Sequence, residues 1–481
     1  MAETTTVIRA ADWVVAWDEE AGGHRYLKGA DVVFRGGEIL FVGRGHGGDA
    51  EVEIDGRGRM VMPGLVNIHC HPASEPGNRG ILEDTGTPAL GQSGLYEYMP
   101  AFRLPAEAAD AATRVAFAEM LKSGVTCVAD LSGARPGWAE TLAATGIRAV
   151  LAPMYRSAAW HTADGHSVGY TWDEEAGRRG LETALATVDA ARAHSSGRLG
   201  GMLAPSQIDT CTPELLHASL AAARERGIPL QLHAAQSVVE FNEMVRRHGM
   251  TPIAWLDHIG LLGPGVIIGH GIFLNDHPWL HYPHADDFAR LAASGAAIAH
   301  CPVNFVRRGI GLNTLGRYVE AGIAVGLGTD TFPHNMIDEM RTACHAARMV
   351  AGDLRACSTT DAFDAATLGG ARAMGRDDIG RLSPGCKADL VLVDLAHPAM
   401  RPVRDPIRSL IHSASSRAVR DVYVDGRLVV RDGAPLAIDL EAALDTVAEA
   451  QAEALARVPE RDWAGRGAEE MSPLVYPVGE A

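Results

Sequence analysis

Residues 63–71 read Pro63-Gly64-Leu65-Val66-Asn67-Ile68-His69-Cys70-His71. An apolar run ending in two histidines has the form of a buried strand. Its side chains alternate between faces, so both imidazoles share one face. Seven more short apolar runs follow, at 125–131, 148–154, 201–205, 229–234, 266–270, 297–301 and 324–329. Segments of helical spacing separate most of them, among them 106–123, 213–227 and 354–374. Such alternation predicts a parallel α/β sheet, and eight units predict a closed (β/α)8 barrel of the TIM type.

On either side of this series the pattern changes. Residues 5–17, 29–34 and 39–43 are rich in Val, Ile and Phe, with Gly36-Gly37 as a hairpin turn. Residues 388–395 and 419–430 repeat that character, with Asp425-Gly426 as the turn. Neither block closes a core alone, so the two are expected to pair as one composite β-sandwich built from the N- and C-terminal segments. The boundaries fall at 1–62 plus 385–440 for the sandwich, 63–384 for the barrel and 441–481 for a C-terminal helix and tail. The Pro/Gly-rich residues after Arg457 are read as wrapping a neighbour or lying loose.

Bulk properties narrow the function. A net charge of −17 lacks the basic face that nucleic acid or an anionic membrane requires. No run reaches the roughly 18 apolar residues of a membrane span, and the N-terminus does not read as a signal peptide. Seven cysteines without paired spacing are expected to be reduced thiols in a cytoplasmic protein.

In barrels of this kind, chemistry projects from the C-terminal ends of the strands. His69 and His71 end the first strand, His233 the fifth and His270 the sixth, while Asp330 follows the eighth. A lone His-x-His pair is equally a surface feature of a strand end. Three further strand ends carrying His, His and Asp make convergence on a metal ion the better reading, since neutral imidazole is the commonest metal ligand.

The motifs PGLVNIHCH, LQLHAA, IIGHG and GLGTDT, in that order, resemble the amidohydrolase superfamily. Within it they resemble the cytosine deaminase, S-adenosylhomocysteine deaminase and triazine hydrolase branch. The likeness covers nearly the whole chain, including His300-Cys301-Pro302 and the SPGCKADLVLVD segment. It implies His69, His71, His233 and Asp330 as ligands of one divalent ion, Zn2+ first with Fe2+ as the alternative. His270 is implied as a second-sphere acid/base that polarises substrate, and Asp330 also as acceptor of the proton of the attacking water. It further implies a homodimer or larger homo-oligomer acting on a small molecule. Two-metal relatives bridge their ions with a carboxylated lysine from the fourth strand. Only Lys28, Lys122 and Lys387 exist here, none on that strand, so one metal is expected.

The chain departs from the branch at Gln236, three residues after His233, where deaminases place a proton-shuttling glutamate. An amide cannot replace a carboxylate in acid–base work, although it can position substrate. Either Glu240, Glu83 or Asp84 supplies a carboxylate, or Asp330 and His270 suffice, or the protein is inactive. Gln207 after the fourth strand and Asn304 after the seventh also differ from relatives and are expected to contact substrate. Trp160 and His161 after the third strand either cover the pocket or pack beneath a loop. Arg79 either binds substrate or forms a surface ion pair. His277, His281 and His284 are read as solvent-facing, Asp338, Glu339 and Arg341 as an exposed charged face, and Cys70 as a buried inert thiol.

The expected function is hydrolysis of a carbon–nitrogen bond in an N-heterocycle or cyclic amide, by an aminohydrolase or cyclic-amide hydrolase. The alternatives are displacement of chloride or another leaving group from a triazine-like ring and, from a different class, a non-catalytic ligand-binding barrel.

Overall fold

The computed structural model describes residues 4–81 and 87–479. Two antiparallel-rich sheets hold the terminal segments. One has the order Glu38–Gly43, Ala30–Arg35, Thr5–Ala11, Val52–Asp55. The other runs Ala434–Pro435, Arg427–Arg431, Val419–Val424, Leu390–Asp394, Arg59–Pro63, Trp13–Asp18, Gly23–Leu27. Leu390–Asp394 lies antiparallel to Arg59–Pro63 with Val391 opposite Met62, so both ends of the chain share this sheet. Ile8, Val32 and Phe34 from one sheet pack with Val14, Val61, Leu390 and Leu392 from the other.

The run 5–17 is two strands, not one. Ala10 adopts a left-handed φ of 52°, and its N–H donates to Asp31 Oδ1 at 2.8 Å. That bulge leaves Ala11 still opposite Ala30, and the chain crosses to the other sheet at Asp12, before Trp13. Asp425 and Gly426 form the expected hairpin turn with φ of 54° and 71°. A Cβ at Gly426 would lie 1.7 Å from the carbonyl oxygen of Gly36, so the close approach of the two turns requires glycine there.

The parallel strands fall where the periodicity places them, but they pair as two four-stranded sheets. One contains Leu65–Cys70, Val125–Asp130, Arg148–Leu151 and Leu199–Gly201. The other contains Leu230–Ala234, Val266–His270, Ala297–His300 and Ala324–Leu327. In place of continuous ladders, isolated parallel bridges join the sheets at both seams, Leu203 with Leu230 and Gln207 with His233 on one side, Cys70 with Asp330 on the other. The fourth strand is interrupted: Leu199–Gly201 stops, and Ala204–Pro205 pairs instead with Met154–Tyr155. Pro205 has no N–H to donate to a ladder.

Helices begin and end on local signals. In Pro213–Arg226 the Thr212 hydroxyl accepts from the Leu215 N–H, proline occupies the first turn and Gly227 closes the end at φ 60°. The run 354–374 is not a continuous helix. It starts at Thr359 behind a Ser358/Asp361 capping box and contains a π turn at Ala365–Gly369. The C-terminal helix Leu440–Ala456 packs Ala443 and Val447 against Ala112 and Val115 of Ala109–Lys122. Beyond it the tail is partly anchored, with Trp463 Nε1 donating to Glu97 at 2.8 Å, while Leu474 to Val478 are exposed. Among the described residues no helix is long and apolar enough to cross a membrane.

Candidate metal centre

The strand ends meet at one point. The Asp330 N–H donates to His69 O at 2.8 Å and the His71 N–H donates to Asp330 O at 3.0 Å. These two bonds set Asp330 between the histidines of the first strand. His270 and Asp330 have left-handed backbones, φ 84° and 54°. Such strain in non-glycine residues persists only where surrounding structure enforces it, and it concentrates at functional sites.

The side chains converge on a shared centre. His71 Nε2 lies 3.3 Å from His233 Nε2 and 3.3 Å from Asp330 Oδ1, and His69 Nε2 is 3.6 Å from the same oxygen. His270 Nε2 is 3.9 Å from Asp330 Oδ2. The outward nitrogens are already engaged. His71 Nδ1 donates to Leu131 O at 2.8 Å, His233 Nδ1 to Ser206 O at 2.5 Å and His69 Nδ1 to Gln231 Oε1. Each ring therefore turns an Nε2 lone pair inward.

Two lone pairs facing each other at 3.3 Å cannot hydrogen-bond, and the buried His69 Nε2 has no partner among the described residues. A shared cation resolves both facts. Metal–nitrogen bonds of about 2.0–2.1 Å in a tetrahedron imply ligand–ligand edges of about 3.3–3.4 Å, close to those seen. The donor set fits a divalent ion.

The electrostatics agree. Burial, reinforced by neighbouring rings, holds His233 down to about 3, and burial lowers His71 despite Asp330. Both rings are thus neutral, as ligands must be. Burial alone would raise Asp330. Its interactions with His69, His270 and His71 outweigh that and keep the carboxyl well below the usual carboxylate range. His270 is fully buried, held neutral chiefly by burial, and both of its ring nitrogens lack hydrogen-bond partners among the described residues.

A cavity of about 200 Å³ opens over this centre, walled by His71, His233, Asp330, Gln207, Gln236 and Trp160 among others. A larger open groove of about 780 Å³ between the edges of the terminal sheets contains no histidine or cysteine. Gln236 Oε1 accepts from Gln207 Nε2 at 2.7 Å, and Asn304, also on the cavity wall, donates to Asp330 Oδ2. Trp160 is anchored by Nε1 donating to Asp209 at 3.0 Å and lies edge-on to Tyr96.

Other candidates lie elsewhere. Arg79 pairs with Glu119 at 2.7 Å and is absent from the wall, held by the ion pair. His161 is exposed and turned away, because alternation along Ala158–His161 puts it on the face opposite its neighbour Trp160. Glu240 is buried behind Gln236, accepting from the N–H groups of Ala235 and Gln236 and from Gln207 Nε2. Glu83 and Asp84 lie outside the described residues.

Two surface assignments are corrected. Glu339 is fully buried, because its carboxylate accepts the Val303 N–H at 2.9 Å. His277 is buried against Phe273, with ring centroids 4.5 Å apart. Cys70 is buried, its thiol raised well above the ordinary range by burial and by Asp130 and Asp330.

Several residues of the site escaped the sequence reading, among them Gln231, Cys301, Glu75, Arg308 and Arg156. Gln231 shares a strand face with His233, so period-2 spacing could have found it. Cys301 lies close to His69, His270 and Asp330, but burial keeps its thiol protonated. Glu75 and Arg308 line the cavity from loops and carry no local signal. Burial, with the nearby Asp330 charge, pushes the Glu75 carboxyl up to about 7.

The model of the amidohydrolase family matches residues 60–429. A 5-methylthioadenosine/S-adenosylhomocysteine deaminase of Natronomonas pharaonis is 32% identical over 82% of this chain and 86% of that protein. A 5'-deoxyadenosine deaminase of Methanosarcina mazei is 30% identical over 93% of this chain and 98% of that protein. Among solved structures, a triazine hydrolase variant superposes with a TM-score of 0.78 at 25% identity, covering 93% of this chain and all of the other. An adenosine deaminase from Xanthomonas campestris with bound zinc gives 0.75 at 25% identity, covering 93% of this chain and 98% of the other. The fold is of the β/α-barrel type with mixed α/β content.

Proposed function

We propose that this chain, which belongs to the amidohydrolase family, is a metal-dependent aminohydrolase or cyclic-amide hydrolase acting on a carbon–nitrogen bond of a small N-heterocycle. The convergence of His69, His71, His233 and Asp330 beneath a cavity walled by Gln236 carries the reading. Those four residues would hold one divalent cation, Zn2+ first and Fe2+ as the alternative. When bound, such an ion supplies Lewis acidity and lowers the pKa of water towards neutrality.

The rest is the work of side chains. Asp330, poised as a carboxylate by its histidine neighbours, takes the proton of the attacking water. His270, neutral and unpartnered, stabilises charge that develops on the substrate heteroatom. Gln236, braced by Gln207, positions substrate, Asn304 orients Asp330, and the Trp160 ring walls a flat substrate. Gln236 also supports a second reading, displacement of chloride or a thioalkyl group, because such leaving groups depart without a proton.

We read residues 63–384 as the (β/α)8 barrel, 1–62 with 385–440 as its composite sandwich and 441–481 as the C-terminal helix and tail. A cytoplasmic homodimer or larger homo-oligomer is the assembly proposed. The seven free, buried thiols support the reducing compartment, and family resemblance supports the oligomer.

The test is metal analysis followed by ammonia release from amino-heterocycles, cyclic amides and chlorotriazines, with product masses. Ammonia with a matching carbonyl product is expected. Turnover without ammonia moves the assignment to amide opening or leaving-group displacement. Failure to retain any divalent ion overturns the metal-dependent reading.

A further inference from the structure

Two of the seven cysteines meet away from the metal centre. Cys344 lies within the helix Met336–Ala351, and Cys357 ends the loop that leads into the helix Thr359–Asp364. Their sulfurs are 3.9 Å apart, and both lie 3.5 Å from the same acceptor, Ser358 O. Among the described residues this is the one pair of thiols in hydrogen-bond contact. The two are 13 residues apart in the chain, so folding alone brings them together.

The two sulfurs are chemically unlike. Burial pushes the thiols of Cys70, Cys127, Cys211 and Cys301 up and keeps them inert. Cys344 goes the other way. The hydrogen bond from Cys357 lowers it and, with the Arg348 charge, outweighs burial. Arg348 is held there by its Nε, which donates to Cys357 O at 3.1 Å. The contact with Cys344, together with burial, raises Cys357, so that sulfur keeps its proton. A thiolate is the sulfur nucleophile, and a second thiol beside it can resolve its oxidation. The cover is thin. Cys357 sits between half-buried Ala356 and exposed Ser358, and Cys344 precedes exposed His345. Leu354 and Arg355 of the same loop stand out in solvent.

We propose that Cys344 and Cys357 form an oxidation site, at which hydrogen peroxide converts the neighbouring thiols into a disulfide. The Cys344 thiolate attacks one peroxide oxygen and breaks the O–O bond. It becomes a sulfenic acid and releases hydroxide, which takes up the proton that Cys344 gave up. The Cys357 sulfur then attacks Cys344 Sγ. The S–S bond forms, the S–O bond breaks, and the hydroxyl leaves as water with the Cys357 proton. The two thiols lose two electrons, and the peroxide is reduced to two waters. The sulfurs must close from 3.9 Å to about 2.0 Å, and the loop carrying Cys357 supplies that movement while Cys344 stays fixed in its helix. The bond would tie the helix that follows Asp330 to the next helix of the chain, and an added dithiol would reverse it.

The test is a hydrogen peroxide time course on the zinc-loaded full chain, followed by peptide mapping without reductant. Met349, 80% exposed on the same helix, serves as an internal gauge of the oxidant dose. The Cys344–Cys357 disulfide is expected to form at least about tenfold faster than Met349 sulfoxide, and to disappear on adding dithiothreitol. In Cys357→Ser the sulfenic acid at Cys344 has no resolving thiol, so dimedone should trap it there. Cys344→Ser should give no dimedone adduct at Cys357. Sulfoxide at Met349 while both thiols stay reduced overturns the proposal, as does over-oxidation of Cys344 without a disulfide. Dimedone labelling of Cys357 in place of Cys344 overturns the assigned roles. The wild-type time course decides alone if thermal melts show that a variant has not folded. None of these measurements needs turnover, so the outcome is independent of the hydrolase reading.

Discussion

Replacing Gln231 by leucine tests whether the imidazole orientation at the centre is imposed from behind. Gln231 is fully buried. Its Oε1 accepts from His69 Nδ1, and its Nε2 donates to Ile68 O at 2.9 Å. Leucine has nearly the same volume but no acceptor. His69 must then either bury an unpaired Nδ1–H, at about 1–3 kcal/mol, or move the proton to Nε2 and lose the lone pair that faces Asp330. Either course should weaken metal binding by about 10–100-fold, or about 1.4–2.7 kcal/mol. Competition with a chelator of known affinity reads the change directly, and circular dichroism confirms the fold. Gln231→Glu restores an acceptor and should retain wild-type affinity or tighten it. A folded Gln231→Leu protein with unchanged affinity would refute the argument that this bond sets the ligand tautomer.

Three further changes separate chemistry from stability. Gln236→Glu keeps the acceptor for Gln207 and adds a group able to carry a proton, so ammonia release from amino-heterocycles should rise about tenfold or more; an unchanged rate would place the limit in pocket shape. Arg148→Met strands Asp389, which the arginine grips at 2.8 and 3.0 Å where the third parallel strand meets the seven-stranded sheet. Loss of about 3–5 kcal/mol is expected as a lower melting temperature, with partial recovery on adding Asp389→Asn. Burial holds His300 down to about 3 from 6.5. The native ring is neutral while the unfolded one takes up a proton below 6.5, so its contribution falls as pH drops from 6.5 towards 3, by up to about 1.4 kcal/mol per unit. His300→Gln should flatten the acid side of the melting-temperature profile, and superimposable profiles would count against the assignment.

Much of the site was legible because local periodicity governs it. Period-2 alternation puts His69 and His71 on one face, and strand ends in a parallel α/β arrangement share one rim, so His233, His270 and Asp330 group with them on sequence alone. Three lysines, none on the fourth strand, spoke against a lysine-bridged pair of metals, and the amide at Gln236 stood out by its spacing from His233. Contacts that cross the barrel mouth carry no such period. Gln231 reaching His69, Asn304 reaching Asp330, and Glu75 and Arg308 arriving from two loops depend on chain segments that meet only after folding. The same holds for what was excluded. Arg79 was drawn to Glu119 and Glu240 to the backbone of Ala235 and Gln236, because a charge settles on the nearest unsatisfied partner in space, whatever its distance along the chain.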